Sequence, residues 1–206
     1  MLFDTLALCS LFVVLLLLKR LVNVYPSLLA CLLRSKECFN LEASVKLARD
    51  RNLVTIAMVV PFCLIAFKYG LYRPDFLDGM GENVVLGVYV GVFAVYAALR
   101  YTVLLLVLPR RVPQKTADTA NKAAFSFFNV LTFVLLAMGG VMDLLNVDES
   151  VVRNAMLWVS GCIYLLFLIR KAQIFNTSCT IFASFLYLCA LEMIPTGILV
   201  VSAVIF

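Results

Sequence analysis

The chain has 206 residues, of which 64% are hydrophobic and 14% are charged, and its formal net charge is +5 at pH 7. A soluble domain has about 45–50% apolar and 25% charged residues, so this composition excludes an ordinary water-soluble protein and indicates a chain surrounded by lipid. The sequence contains no histidine, which removes the most common general base, pH switch and zinc ligand.

Six apolar segments are candidates for helices that cross a bilayer, which takes about 20 residues each. They are residues 2–18, 53–67, 84–108, 125–142, 151–169 and 181–206. The pattern predicts an all-α fold: a polytopic transmembrane helical bundle that forms a single membrane domain over residues 1–206. Six such spans leave short connections and no room for a separate soluble domain.

The connection between the first two spans has two parts. Residues 21–33 are apolar but contain Asn23 and Pro26, a pattern typical of an interfacial or re-entrant segment, and the sequence leaves both possibilities open. Residues 34–51 are more polar and carry apolar residues at helical spacing, namely Leu41, Val45 and Ala48. This second part predicts an amphipathic helix on the membrane surface, with a solvated helix as the alternative.

The Lys and Arg residues are distributed unevenly between alternate connections. Thirteen follow spans one, three and five: Lys19, Arg20, Arg34, Lys36, Lys46, Arg49, Arg51, Arg110, Arg111, Lys115, Lys122, Arg170 and Lys171. Only Lys68, Arg73 and Arg153 fall on the other side. Basic connections stay in the cytoplasm, so we expect a multi-pass protein of a bacterial inner membrane with both termini periplasmic. Membrane lipids are then the expected partners of the basic residues, and no nucleic acid is needed to explain the charge.

Two charged residues fall inside the apolar segments. Glu192 lies near the middle of the sixth segment and Arg100 lies in the third, where a lone charge costs several kcal/mol. Pro195 follows Glu192 and removes a backbone donor at membrane depth. We therefore predict an intramembrane polar centre of Arg100, Glu192 and Pro195. It is a buried pair that fixes helix packing, a path for protons or ions, or a protonated Glu192 bonded to backbone.

Two further patterns concern packing. Gly87 and Gly91 form a small-residue motif in the third span, which predicts close approach by another helix. Seven cysteines occur, at positions 9, 31, 38, 63, 162, 179 and 189, and none forms a C-x-x-C pair. We expect them to be small apolar packing residues, with no metal site, no disulfide and no cofactor.

The C-terminal third carries a resemblance. The stretches at 168–175 (LIRKAQIF) and 185–195 (FLYLCALEMIP) resemble an uncharacterised family of Bacteroidota multi-span inner-membrane proteins, catalogued as a domain of unknown function. The similarity covers nearly the whole chain and implies a bacterial inner membrane and special interest in Arg170, Gln173, Glu192 and Pro195. No activity is carried over with it.

Arg170 and Gln173 lie three residues apart at the predicted cytoplasmic end of the fifth span. Residues at this spacing share one helical face, so a guanidinium and an amide project together. This interface cluster suits a lipid phosphate, a group of loop carbonyls or a partner's carboxylate. An ordinary positive-inside anchor is the alternative.

Three classes of function follow. The first is a non-enzymatic subunit or assembly factor of a membrane complex, with a membrane-protein partner that the sequence does not identify. The second is a small transporter or channel that uses Arg100 and Glu192. The third is an intramembrane enzyme that modifies lipid, with Arg170 near the head groups. The first class is favoured because no set of catalytic residues is recognisable.

Overall fold

The computed structural model describes residues 2–72, 74, 77, 79–107 and 113–205. The regular structure in those ranges is helical, with no strand. The helices are α1 (Leu2–Leu33), α2 (Ser35–Ala43), α3 (Val45–Lys68), α4 (Glu82–Val107), α5 (Gln114–Leu144), α6 (Glu149–Asn176), α7 (Ile181–Leu188) and α8 (Ile194–Ile205), and a π-helical turn at Cys189–Met193 joins the last two.

Six helical segments are long and apolar enough to cross a membrane, with α7, the π turn and α8 counted as one segment. The prediction of an all-α, multi-span membrane protein is confirmed. The helices are longer than the apolar segments of the sequence: α5, for example, begins at Gln114, where the apolar segment begins at 125. A helix does not have to stop where its residues become polar, because its backbone hydrogen bonds are satisfied within the helix itself. Residues 108 and 206, at the ends of two predicted spans, lie outside the described part.

The structure continues α1 through residues 21–33. This segment is therefore neither a separate interfacial piece nor a re-entrant one. Pro26 lies inside the helix, while Val24, Leu28 and Cys31 are almost completely buried. These three positions share one helical face, and packing of that face keeps the chain helical on both sides of Pro26.

A short helix, α2, lies between the first two spans, and Cys38 and Leu41 are its buried residues. The predicted amphipathic helix over 34–51 is divided at Ser44, whose backbone is extended (φ −91°, ψ 102°). Residues from Val45 onward belong to α3. The prediction of helical structure in this region is confirmed, but the prediction of a single helix is wrong, because the region belongs to two helices.

The two ends of the bundle differ in charge. At the end that carries Arg34, Lys36, Lys46 and Arg49, which we call the basic end, α1, α4 and α6 finish and α3, α5 and α7 begin; a hydrogen bond of 2.8 Å between the hydroxyls of Thr116 and Ser178 lies there. At the other end, which carries Asp143, Asp148 and Glu149 and which we call the acidic end, Lys68 of α3 forms an ion pair with Asp143 of α5. Arg73, Arg110 and Arg111, three of the basic residues in the predicted connections, lie outside the described residues.

The core is built mainly where α1 packs on α3, α3 on α5, and α5 on α6. Leu135, Val152 and Met156 are buried with Ile65 between α3, α5 and α6. α4 and α8 lie at the side of this core and contact each other. This arrangement positions the charged side chains of α4, α6 and the final helix against one another.

Candidate functional site

Three charged side chains meet in the bundle, and we call Arg100, Lys171 and Glu192 the charged centre. Nε and Nη2 of Arg100 donate to Oε1 of Glu192 at 3.1 and 2.8 Å. Nζ of Lys171 donates to the same oxygen. The side chains of Glu192 and Lys171 are each 1% exposed, and that of Arg100 is 17% exposed. One carboxylate oxygen thus holds two cations from two helices.

Helix direction explains why these side chains meet. The Cα–Cβ bond of a helical residue tilts toward the N-terminus of its helix. Arg100 and Lys171 lie near the C-terminal ends of α4 and α6, so their long side chains lean away from the basic end into the bundle. Glu192 belongs to a helix that runs the opposite way, and its side chain leans to meet them.

The backbone around Glu192 is a π-helical turn. The N–H of Ile194 donates to the carbonyl of Cys189, five residues back. The hydroxyl of Tyr164 donates to the carbonyl oxygen of Glu192 at 3.1 Å. Pro195 has no N–H to donate, so the predicted gap in the backbone hydrogen bonds of this turn coincides with a change of helix type. Pro195 itself lines a groove beside the charged centre.

Aromatic rings surround the two cations. Phe167 lies 5.6 Å from Nζ of Lys171 and 6.0 Å from the guanidinium carbon of Arg100, measured to the ring centroid. Phe175 lies 6.0 Å from the same Lys171 nitrogen. The faces of aromatic rings attract cations but carry no charge to neutralise them. The charged centre therefore holds one more positive than negative formal charge, in surroundings that make an unbalanced charge costly.

The sequence predicts Lys171 only as a positive-inside residue in a connection, and its part in the charged centre is not predicted. The signal was present in the helical spacing. Phe167, Ile174 and Phe175 lie four residues before, three after and four after Lys171, and all four side chains are buried. A lysine in the middle of an apolar helical stripe is a candidate for a buried ion pair.

The structure gives Arg170 and Gln173 a contact with α1. Nε of Arg170 donates to the carbonyl of Leu32 at 2.7 Å, and Nη1 donates to Oε1 of Gln173 at 2.7 Å. The carbonyls in the last turn of a helix have no partner within it. Arg170 supplies a hydrogen-bond donor to such a carbonyl at the end of α1. Among the predicted ligands of the interface cluster, this contact resembles the group of carbonyls.

Gly87 and Gly91, the predicted packing motif, have no helix from the described part of the chain packed closely against them. Apart from the backbone of their own helix, no described atom comes within 4 Å of the position that a Cβ would take at either residue. Gly91 lines the groove between α4 and α8, together with Pro195. The motif remains a prediction of contact with something other than the described part of the chain.

A second ion-pair network lies nearer the basic end. Glu42 pairs with Arg51, which is 1% exposed, and through its other oxygen with Lys122 at 3.2 Å. Arg20 pairs with Asp50 at 3.5 Å. These contacts tie α1, α2, α3 and α5 together. They also engage two of the acidic residues at this end inside the protein.

At the acidic end, Tyr69 links α3 to α5. Its hydroxyl donates to Asp143 at 2.8 Å and lies 3.4 Å from the carbonyl of Gly139. Burial and the hydrogen bond to Asp143 raise the pKa of Tyr69, so the hydroxyl keeps the proton that it donates. Lys68 completes this cluster by its ion pair with Asp143.

The cysteines differ from expectation in one respect. Cys31 of α1 and Cys38 of α2 form a disulfide with 4.8 Å between their Cα atoms, where the sequence predicted none. The turn between α1 and α2 brings the two cysteines together, whereas their separation of seven residues in the sequence does not by itself predict that they pair. The other five cysteines are free thiols. Within the described residues no group of three His, Cys, Asp or Glu side chains could hold a metal ion.

Comparison with known proteins places the chain in a family. A family model described as a domain of unknown function (DUF4271) matches residues 4–202. The chain therefore belongs to this family, which agrees with the resemblance found in its sequence. No curated protein and no solved structure gives a significant match.

Proposed function

We propose that this member of the family is a non-enzymatic subunit or assembly factor of a complex in a bacterial inner membrane. The observation that carries the proposal is a surface at the basic end, which we call the basic face. It consists of the exposed cations Arg34, Lys36, Lys46 and Arg49 with two exposed apolar residues, Leu33 (72%) and Val45 (82%). Apolar anchors inside a charged rim are the usual anatomy of a protein interface.

The four cations of the basic face outnumber their acidic neighbour on α2, Glu37, which accepts a hydrogen bond from Asn40. Glu42 and Asp50 are engaged with Arg51, Lys122 and Arg20. None of the four cations of the basic face forms an ion pair with a residue that the structure describes. An acidic partner segment with an apolar residue at its centre would complement both the charge and the apolar anchors.

The proposed orientation puts the basic face in the cytoplasm and both termini in the periplasm, on the distribution of Lys and Arg between alternate connections. The Cys31–Cys38 disulfide beside this face is a feature that a reducing cytoplasm disfavours, and the proposal gives the charge distribution the greater weight. Reporters that are active on only one side of the membrane test it. A fusion after Phe206 and a fusion within 34–51 should report opposite compartments. Signal from both in one compartment would overturn the orientation.

The subunit role is tested by capture of the partner from native membranes. The full chain, solubilised in mild detergent, should retain a stoichiometric partner. Val45→Glu combined with Arg49→Glu should abolish retention, because it removes an apolar anchor and reverses a charge. Arg153→Glu reverses a cation at the acidic end and should leave retention unchanged. Equal retention by all three proteins contradicts a docking role for the basic face.

The charged centre favours a second candidate, a small transporter or channel. A buried carboxylate held by two cations is the kind of group that couples to the passage of protons or ions. Reconstituted protein would then show a flux that Glu192→Gln abolishes, and a flux unchanged by this variant removes the candidate. A lipid-modifying enzyme depended on Arg170, whose contacts with Leu32 and Gln173 do not favour that role.

A further inference from the structure

The net charge of the charged centre can change only through gain or loss of a proton. Two cations, Arg100 and Lys171, meet one anion, Glu192. Arginine keeps its proton in proteins, so a proton enters or leaves at the lysine or at the carboxylate. Loss of a proton from Lys171 makes the centre neutral, whereas gain of one by Glu192 adds to its surplus positive charge, which burial disfavours. Lys171 is therefore the member that can release a proton.

The surroundings of Lys171 supply no second anion from the described part of the chain. Glu192 of the π turn and Arg100 of α4 are the charged groups that act on it. The helices α1, α2 and α5 bring uncharged residues to this region, namely Cys31, Cys38, Ala120 and Ala123, which pack with Ile174, Phe175 and Leu191. The two cysteines form the disulfide and have no proton to exchange.

Three hydroxyls lie beside the charged centre, and we call Tyr96, Tyr164 and Thr196 the hydroxyl cluster. The hydroxyls of Tyr96 and Thr196 are 3.3 Å apart, and Thr196 also lies beside Tyr164. The charge of Glu192 acts on both tyrosines. Each member lies nearer the acidic end than the charged residue of the same span does. Because a hydroxyl can accept one proton while it donates its own, the cluster can pass protons between Glu192 and the acidic side.

The groove between α4 and α8, of about 380 Å³, continues from the hydroxyl cluster to the acidic end. Tyr96 lines it in the middle of α4, while Tyr72 and Ser202, whose hydroxyls are 3.1 Å apart, line it at the acidic end. Thr196 and Ser202 are six residues apart, which is about 9 Å along a helix. Its other walls are mainly apolar, so the two hydroxyl pairs are where water in the groove would be held.

The distance from Lys171 to the basic end is short. Lys171 lies five residues before the end of α6, about 8 Å along the helix. Ser184, which the final span places between Glu192 and the basic end, is 2% exposed, and its hydroxyl has no hydrogen-bond partner within the described residues. A buried hydroxyl in this state marks a position for a water molecule. Proton donors and acceptors therefore lie on both sides of Lys171.

We infer that the charged centre passes protons across the membrane, with Lys171 as the group that releases and regains a proton. The ammonium of Lys171 gives a proton to Oε1 of Glu192, the carboxylic acid passes it to the hydroxyl cluster, and water in the groove carries it to the acidic end. The amine regains a proton from the basic end through water at Ser184. We call this series of groups the proton path.

The chemistry of the proton path is balanced within itself. Each step breaks one N–H or O–H bond and forms another, so no oxidant, reductant or second substrate is required. The inference rests on the transporter candidate, for which it names the ion and the groups that carry it. It does not depend on the subunit role, because the basic face contains none of these residues.

Proton flux through the purified full chain in liposomes tests the inference. A potassium diffusion potential drives protons inward, and a pH-sensitive dye inside the vesicles reports them. We expect flux in the unchanged protein and none in Lys171→Met. Tyr96→Phe and Thr196→Val keep the side-chain shapes but remove a hydroxyl, and each should reduce the flux about tenfold, as loss of one hydrogen-bonded step would do.

Matched controls separate the proton path from general damage. Tyr101→Phe and Thr102→Val remove exposed hydroxyls of the same helix, α4, and should leave the flux unchanged. Loss of flux in Glu192→Gln with full flux in Tyr96→Phe and Thr196→Val would overturn the path and leave the transporter candidate standing. Flux of another ion without protons would have the same meaning. No flux of any ion overturns both.

Water in the groove is tested without flux, by cysteine reactivity in native membranes. A thiol reacts with a thiosulfonate as the thiolate, which forms in water and not in lipid. Ile198, which lines the groove, and Leu165 of α6 are similarly exposed, at 54% and 59%. After subtraction of the native thiols, a membrane-impermeant thiosulfonate added at the acidic end should label Ile198→Cys about tenfold faster than Leu165→Cys. Equally slow labelling would show lipid in the groove and overturn the proton path.

Discussion

Lys171 of α6 and Glu192 of the π turn form an ion pair in which each side chain is only 1% exposed. Arg100 reaches the same carboxylate oxygen from α4. Three spans are therefore joined at one atom. Because two cations share one carboxylate, the three members are not equivalent, and removal of each has a different consequence.

Removal of the carboxylate should cost more than removal of the buried cation. Glu192→Gln leaves two unpaired cations and should lower the free energy of unfolding by about 3–5 kcal/mol, as breaking a buried pair does. Lys171→Met leaves Arg100 and Glu192 as a neutral pair, and we expect a loss of about 1–2 kcal/mol. Unfolding in detergent micelles, followed by circular dichroism, measures both. Equal losses, or the reverse order, would contradict the shared-carboxylate description.

Two adjacent glycines of α5 should respond oppositely to alanine. A Cβ at Gly139 would lie 3.2 Å from Cε of Met156 and 3.2 Å from the hydroxyl of Tyr69, which Asp143 holds in place. Gly139→Ala should therefore destabilise the protein by about 1–3 kcal/mol through overpacking. At Gly140 no atom lies within 4 Å, so Gly140→Ala should be neutral or stabilise by up to about 1 kcal/mol. Melting temperatures of the two variants decide; a destabilised Gly140→Ala protein would show that helix packing around α5 differs.

Arg170 should contribute to stability through α1. Arg170→Gln removes the charge-assisted hydrogen bond to the carbonyl of Leu32, and we expect a loss of about 1.5–3 kcal/mol. Gln173→Ala, at an exposed position, should change stability by less than about 0.5 kcal/mol. Hydrogen exchange at the end of α1 should accelerate in the first variant only. The same rate in both would mean that Arg170 does not hold this helix end.

The cysteine pair gives a count that mass spectrometry can check. Of the seven cysteines, five are free thiols. Oxidised protein, unfolded in denaturant and alkylated, should therefore take up two fewer labels than reduced protein. The Cys38→Ser variant should take up one label more than the oxidised unchanged protein, because Cys31 is then a free thiol. Seven labels on the oxidised protein would show that the two sulfur atoms do not pair.

Much of the fold is predictable because lipid imposes a simple rule on the sequence: spanning segments must be apolar and helical. Apolarity, however, does not mark where a helix ends. Asn23 and Pro26 predict that residues 21–33 are separate from the first span, yet buried packing of Val24 and Leu28 continues the helix. Ser44, the N-cap of α3, belongs to a residue type that favours helix starts, but its side chain makes no capping hydrogen bond, and the helical spacing of apolar residues continues past it without interruption.

The charged centre is predictable only in part. Arg100 and Glu192 stand out as charges inside apolar segments, and the structure brings them together. Lys171 does not stand out, since it follows Arg170 at the end of an apolar run, where positive residues anchor most spans. Cys31 and Cys38 belong to two helices whose relative position depends on tertiary packing, which the sequence alone does not give.

The π turn at Cys189–Met193 means that the last span contains one residue more than regular α-helical winding would accommodate. Deleting Ala190 would remove that residue, so regular winding would join α7 to α8 with little change in the directions that their side chains face. Thr196 and Ser202 could still face Tyr96 and Tyr72 while Leu188 and Ser184 stay buried. Deleting Ile198, inside the regular part of α8, would instead turn Ser202 by about 100° about the helix axis and should be far more damaging than deleting Ala190.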